Sequence, residues 1–308
     1  MSDSALMPKS HRGRFAPSPT GPLHFGSMVA AVGSFLQAKS RGGEWLVRME
    51  DLDPPRVVPG AADEILHTLE ALGLPWDGVV MYQSRRHGVY DAALKMLERL
   101  DAIYPCACSR REIADSSVNG VDGPVYPGTC RAGLPAGREP RAWRVRANGR
   151  AIEFVDAVQG RIVRDLAADF GDFVVRRADG YFAYQLAVVV DDAEQGISEV
   201  VRGADLIEST PRQMHLQDLL GLPTPDYLHL PVALSMQREK LSKQAFAAPL
   251  DATDPLPALL QVLRFLGQEV SPELADGSVE EFWRWAVAHW RVERVPRVPG
   301  VVVETPVG

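Results

Sequence analysis

The chain has 308 residues, 46% hydrophobic and 24% charged, enough to bury a sizeable core in one or two domains. A formal net charge of −7 excludes a protein that holds nucleic acid by bulk electrostatics, because such binding scales with the phosphates neutralised by Lys and Arg. No run of about 18 apolar residues reads as a membrane span, and Met1 to Arg14 lacks the apolar core of a secretory leader, so a cytoplasmic protein without membrane contact is expected.

In chain order, the first informative stretch is Arg14-Phe15-Ala16-Pro17-Ser18-Pro19-Thr20-Gly21-Pro22-Leu23-His24-Phe25-Gly26-Ser27. A short apolar entry, a turn broken by proline and glycine, and a helical run from Met28 to Arg41 predict a strand, a loop and a helix N-terminus. The first N–H groups of a helix have no intrahelical acceptor and carry the positive end of the macrodipole, which suits phosphate. Gly26 removes a Cβ where a flat ring could lie on the backbone, and His24 offers an imidazole donor. Read alone, the stretch also fits an ordinary proline-rich βα loop.

Glu44 to Met49 is strand-like and delivers Glu50, Asp51 and Asp53 at its end, where open α/β sheets bind ligands. Ala61 to Leu72 has helical spacing in Ile65, Leu66, Leu69 and Leu72, with Gly73 as its stop, and a second helix is predicted from Gly88 to Leu100. The three cysteines, Cys106, Cys108 and Cys130, are too clustered and too odd in number for a disulfide framework, so a metal is the better reading. Zinc wants four ligands, and three thiolates leave one place for Tyr126, Asp122, Asp115 or water, since no histidine lies between Cys106 and Cys130. From Arg131 to Arg164, eight arginines face three acids, a basic segment that could meet phosphate backbone or be a solvated face.

Tyr184 opens a helical run from Ala183 to Val190, as a core aromatic or as a site residue. After the apolar run Tyr227 to Leu234 comes Lys240-Leu241-Ser242-Lys243-Gln244, a lysine pair of the kind adenylyl transfer needs, where charge develops on the α-phosphate and leaving pyrophosphate. Beyond it, Leu256 to Leu266 and Val279 to Trp290 are helical in period, with Trp283, Trp285 and Trp290 as a packing stripe. The tail from Val295 to Gly308 is expected to be loose.

Together, His24-Phe25-Gly26-Ser27 and Lys240-Leu241-Ser242-Lys243-Gln244 resemble the two signatures of class I aminoacyl-tRNA synthetases, HIGH and KMSKS, and depart from them at Ser27 and Gln244. Arg14 to Gly21, Arg48 to Asp53, Val188 to Asp192, Ile197 to Ile207 and Leu228 to Lys243 narrow the resemblance to the glutamyl and glutaminyl branch. It implies a doubly wound, Rossmann-like α/β catalytic domain (residues 11–100 and 181–237), an inserted zinc-bearing, tRNA-contacting domain (101–180), and a lysine loop with a small helical C-terminal domain (238–308). It also implies that Arg14, Phe15, Ala16, Pro17, Ser18, Glu50, Tyr184 and Arg202 hold glutamate. His24, Gly26, Ser27 and Lys243 would hold ATP with Mg²⁺, and His24, Lys240 and Lys243 would stabilise phosphate charge. The residue types agree independently, because glutamate carries an ammonium and two carboxylates and so wants an acid and at least one guanidinium.

The cysteine segment closely resembles that of the short stand-alone members of that branch, in which a tyrosine at the position of Tyr126 completes the site, which implies a structural zinc. Those members esterify glutamate onto queuosine in the anticodon of tRNA(Asp), which implies ATP, L-glutamate and queuosine-containing tRNA(Asp) as partners of a monomer. The chain runs only about sixty residues past Gln244, so a portion that reads an anticodon at a distance is not expected. The rivals are a conventional synthetase charging a 3′ end and a non-catalytic paralogue that binds glutamate or tRNA.

Overall fold

The computed structural model describes residues 11–238 and 253–303. The first strand, β1 (Arg12–Phe15), leads through the proline-rich loop into α1 (Phe25–Ser40), and β2 (Glu44–Met49) returns parallel to β1, with Arg12 opposite Glu44 and Phe15 opposite Val47. α1 starts three residues earlier than the hydrophobic period predicts. His24 is its N-cap and Ser27 its third residue, and a reciprocal capping box between them closes the helix end.

After α2 (Ala61–Ala71), β3 (Met81–Tyr82) adds to β2 in parallel, and α3 (His87–Arg99) follows. An antiparallel sheet in the order β10-β7-β4 is built from β4 (Ile103–Cys106), β7 (Ala142–Val145) and β10 (Phe173–Arg176). Between β4 and β7 lie α4 (Arg110–Ser116) and a small hairpin of β5 (Asn119–Gly120) with β6 (Gly123–Pro124). β8 (Ala151–Asp156) and β9 (Gly160–Asp165) form a second hairpin, followed by the short α5 (Leu166–Asp169).

α6 (Tyr184–Glu194) brings the chain back to a parallel pair, β11 (Glu199–Gly203) and β12 (Asp226–Leu230), with α7 (Thr210–Leu220) between them. The two parallel sheets meet at β1 and β11, where Ser198 N–H donates to Arg12 O at 2.9 Å. The strands thus run β3-β2-β1-β11-β12, and the order reverses beside β1, where doubly wound folds place their ligands. The β8–β9 hairpin joins the far edge, with Asp156 opposite Tyr227.

Alternation along β2 sorts its side chains between the two faces of the sheet. Trp45, Val47 and Met49 enter the core shared with α1, α2 and the C-terminal helices α8 (Leu256–Phe265) and α9 (Val279–His289). Leu46 packs on the opposite face, against the cluster of Phe154, Ile197, Val200 and Tyr227, and Arg48 is fully buried. A further core joins α3, α6 and α7 to the antiparallel sheet.

The tryptophan stripe is a docking surface, as its spacing predicts. Trp283 Nε1 donates to Leu72 O at 2.8 Å and Trp290 Nε1 to Gln37 Oε1 at 2.7 Å, while Trp285 is partly buried. The tail is not loose over the described residues, which corrects the sequence expectation. Val295 is buried, and β14 (Gly300–Val302) pairs in parallel with β13 (Val232–Leu234), a partner too distant in sequence for local pattern to reveal. Among the described residues no helix is long and apolar enough to cross a membrane.

Candidate active site

A cleft of about 550 Å³ opens at the carboxyl ends of β1, β2 and β11. Its lining includes Arg14, Phe15, Ala16, Pro17, Ser18, His24, Gly26, Ser27, Glu50, Tyr184 and Arg202, so the described residues that the sequence reading assigns to glutamate and ATP face one cavity, while the four assigned to a metal do not line it. Lys240 and Lys243 lie outside the described residues.

One end of the cleft is the N-terminus of α1. His24 Nδ1 accepts the Ser27 N–H at 3.4 Å, which leaves the ring hydrogen on Nε2 as a donor. Ser27 Oγ in turn accepts the His24 N–H at 2.7 Å, so the residue standing where the family signature has histidine is part of the helix cap. A Cβ on Gly26 would come within 3.2 Å of the His24 ring, so glycine lets the imidazole lie against the helix start.

The other end gathers charge. Glu50 is tied to the loop by its N–H, which donates to Pro17 O at 2.9 Å, and its carboxylate meets Arg48 Nη2 at 3.4 Å. Burial raises the Glu50 carboxyl above its ordinary value, outweighing the opposing pull of Arg48 and Arg14. Arg14 is buried and grips Asp192 with two nitrogens, Nε to Oδ1 at 3.1 Å and Nη2 to Oδ2 at 3.4 Å. Arg202 reaches the Tyr184 hydroxyl with Nη1 at 3.2 Å and Thr210 Oγ1 with Nη2 at 2.9 Å, while its Nε donates to His229 Nε2 at 3.0 Å. Burial raises the Tyr184 hydroxyl, which stays protonated as a donor and acceptor in the cleft wall.

Sequence reasoning missed the residues that hold these groups. Asp192 binds both Arg14 and Arg48, the latter at 2.7 Å, and although burial opposes its charge the two guanidiniums hold its carboxyl below the usual range. Gln195 takes Arg48 Nη1 at 2.7 Å, and Asp191 takes Gln83, Arg86 and Tyr90 at 2.7–2.8 Å. Asp156 and His229 stand behind Arg202. Acids just past a valine run, as in Val188 to Asp192, were the available signal, because a helix that buries its valines at a sheet carries the next acids inward too.

The cysteine cluster sits at the end of β4, away from the cleft. The three sulfur atoms lie within 4.8 Å of one another, and the Tyr126 hydroxyl is 3.4 Å from Cys106 Sγ and 3.5 Å from Cys108 Sγ. Cys130 N–H donates to that hydroxyl at 2.9 Å. Asp122 is engaged by Arg212 and Asp115 is exposed beside Arg111, so neither carboxylate joins the cluster. Arg144 places Nε 3.3 Å from Cys106 and its guanidinium over the Tyr126 ring at 4.0 Å. Against the cost of burial, hydrogen bonds with Tyr126 and Arg144 hold the Cys106 thiol below its ordinary value. Three sulfurs and one oxygen converging beside a cation fit a tetrahedral ion that binds thiolates.

The basic segment is less available than its composition implies. Arg131 pairs with Asp172, Arg138 with Glu112, Arg146 with Asp101, Arg150 with Asp218, Arg161 with Glu153 and Arg164 with Glu208. Arg144 is buried at the cysteines. Five of those six acids lie outside residues 131–164, so the local excess of arginine is offset by the fold.

Residues 11–274 match the family model described as tRNA synthetases class I (E and Q), catalytic domain. The chain is 59% identical over 293 residues to a protein of Dechloromonas aromatica named Glutamyl-Q tRNA(Asp) synthetase, covering 94% of this chain and 97% of the relative. It is 57% identical over 289 residues to one of the same name from Chromobacterium violaceum, covering 94% and 96%. Its fold is that of a glutamate tRNA ligase from Elizabethkingia meningosepticum, solved in complex with its amino acid, with a TM-score of 0.79 at 24% identity, over 96% of this chain and 68% of that one. The residues matched by the family model include those that line the cleft and those of the cysteine segment, and the chain belongs to the class I tRNA synthetases of the glutamyl and glutaminyl type.

Proposed function

We propose that the protein activates L-glutamate with ATP and transfers the glutamyl group to the queuosine base in the anticodon of tRNA(Asp), acting in the cytoplasm as a monomer. The observation that carries this reading is the cleft, which sets Arg14, Glu50, Tyr184 and Arg202 beside the N-terminus of α1. The names of relatives 59% and 57% identical along almost their whole length support the choice of acceptor.

The groups divide by chemistry. Glu50 meets the ammonium, Arg202 and Tyr184 meet a carboxylate, and the residues from Phe15 to Ser18 form the floor. The α-carboxylate of glutamate attacks the α-phosphorus of ATP, the bond to the bridging oxygen breaks, and pyrophosphate leaves. His24 Nε2–H and the α1 N–H groups face the charge on the transferring phosphate, with Gly26 and Ser27 keeping that end open and capped. Lys240 and Lys243, outside the described residues, would add positive charge to the phosphates. A hydroxyl of the acceptor then attacks the glutamyl carbonyl carbon and AMP leaves. Magnesium, bound with ATP, would offset phosphate charge.

Cys106, Cys108, Cys130 and Tyr126 would hold one zinc, which supplies a cross-link to a segment with a small core of its own. In this reading residues 11–100 and 181–237 form the catalytic domain, 101–180 the part that receives tRNA, and 238–308 the lysine loop and helical end.

The test is ATP–pyrophosphate exchange with each amino acid. Glutamate should support it and glutamine should do so poorly, because a neutral amide leaves a buried guanidinium unpaired at a cost of about 1–3 kcal/mol. Equal exchange with the two, or none with glutamate, would contradict the reading.

A further inference from the structure

Arg202 differs from Arg14 in what stands behind it. Arg14 spends two nitrogens on the carboxylate of Asp192, which offsets its charge. Arg202 has no carboxylate partner among the described residues, and its Nε meets an imidazole instead.

A guanidinium nitrogen only donates, so His229 Nε2, 3.0 Å from Arg202 Nε, must accept. An imidazole nitrogen that accepts carries no hydrogen. The hydrogen is therefore on Nδ1, and Asp156 Oδ2 receives it at 2.6 Å. Burial drives the His229 pKa down to about 4, consistent with a neutral ring at physiological pH. The other Asp156 oxygen is pinned by the N–H groups of Val158, Gln159 and His229 at 3.0, 2.8 and 3.2 Å. Asp156, Arg202 and Thr210 contact the ring, Arg14 also acts on it through its charge, and Tyr227 is stacked on it at 6.1 Å. His229 has no exposed surface and Asp156 almost none, and neither lines the cleft, so neither touches a substrate there.

We propose that Asp156 and His229 are positioning residues that hold Arg202 by its Nε through a neutral acceptor, fixing the direction of the guanidinium while leaving its charge for the substrate carboxylate. A carboxylate in place of the imidazole would hold the fork as firmly but would offset the charge, as Asp192 does for Arg14. The proposal rests on glutamate being the substrate, yet the tautomer on which it turns can be observed without any substrate.

Asp156→Asn tests it with almost no change of shape. Three backbone N–H groups keep oxygen at the pinned position, so the new amide NH₂ points at Nδ1. The ring hydrogen is forced onto Nε2, facing the Arg202 Nε–H, and the hold is lost. The KM for glutamate in pyrophosphate exchange should rise about tenfold or more, with the KM for ATP unchanged and the preference over glutamine reduced. His229→Leu should behave likewise. His229→Gln, whose Oε1 can accept from Arg202, should restore most of the glutamate affinity, and this pair decides the matter if Asp156→Asn fails to fold.

In the wild type, a two-bond proton–nitrogen spectrum of protein carrying ¹⁵N-histidine should show His229 as the neutral Nδ1–H tautomer. An Nε2–H ring, an unchanged glutamate KM in Asp156→Asn, or an equal rise in the KM values for glutamate and ATP would overturn the proposal. Absence of glutamate-dependent exchange in the wild type would instead sink the function reading, with the tautomer still testing the hold on Arg202.

Discussion

Asp192 is shared by two buried guanidiniums, so its removal is expected to show first as lost stability. Asp192→Asn leaves Arg14 and Arg48 without their common partner, at a cost of about 3–5 kcal/mol. Its folded pKa is depressed, so its contribution is fully present above the unfolded value of about 3.9 and is lost as pH falls through the folded value. Urea denaturation of wild type and variant should therefore show a gap at neutral pH that narrows in acid, and a gap that stays constant would contradict the assignment. Glu50 has the opposite sign. Burial raises its carboxyl, so the fold resists the ionised form and is burdened as pH rises through the shifted value. Glu50→Gln should keep or raise the melting temperature at neutral pH while cutting glutamate-dependent exchange about tenfold or more, since the ammonium loses its charged partner. A lower melting temperature, or undiminished exchange, would count against that role. These acids were hard to find by reading alone: Arg14 and Asp192 are 178 positions apart, and Asp156 and His229 are 73. Charged residues without local periodicity look like surface until the fold brings them together.

Elements follow local chemistry wherever the relevant partners are near in sequence. β2 was legible to the residue because its alternation and its terminal acids sit within one short stretch. The start of α1 was missed because the cap is made by His24 and Ser27, neither of which advertises a helix boundary in that pairing. β14 was missed because its partner, β13, is far upstream. The tryptophan spacing of α9, in contrast, carried through to a docking face. Trp283→Ala should cost about 3–5 kcal/mol by removing a buried ring that packs on Phe35 and caps the Leu72 carbonyl. A melting temperature within a degree or two of the wild type would show that the C-terminal helices are not held there. At the cysteine cluster, elemental analysis should find one zinc per chain, and Cys130→Ser should release it. Amide exchange should then speed up around β4 and β7 while the β1–α1 loop keeps its protection. A preparation free of metal with equal stability would remove the ion from the account.

For the molecule as a whole, composition was informative in what it excluded and misleading in what it suggested. The net charge of −7 argues against bulk binding of nucleic acid, and the pairing of arginines between 131 and 164 with acids elsewhere extends that reading to the one segment that looked basic. Under the proposed function, contact with tRNA is then expected to depend on shape and on what enters the cleft more than on a cationic stripe. In the proposed function a cleft built for adenylate formation passes glutamate to a modified anticodon base. Incubating the protein with ATP, labelled glutamate and tRNA(Asp), with and without queuosine and with the 3′-terminal adenosine intact or removed, decides whether it does. Label that requires queuosine and survives loss of the 3′ adenosine is the predicted result. Label that requires the 3′ end, or that appears equally on tRNA lacking queuosine, would contradict it.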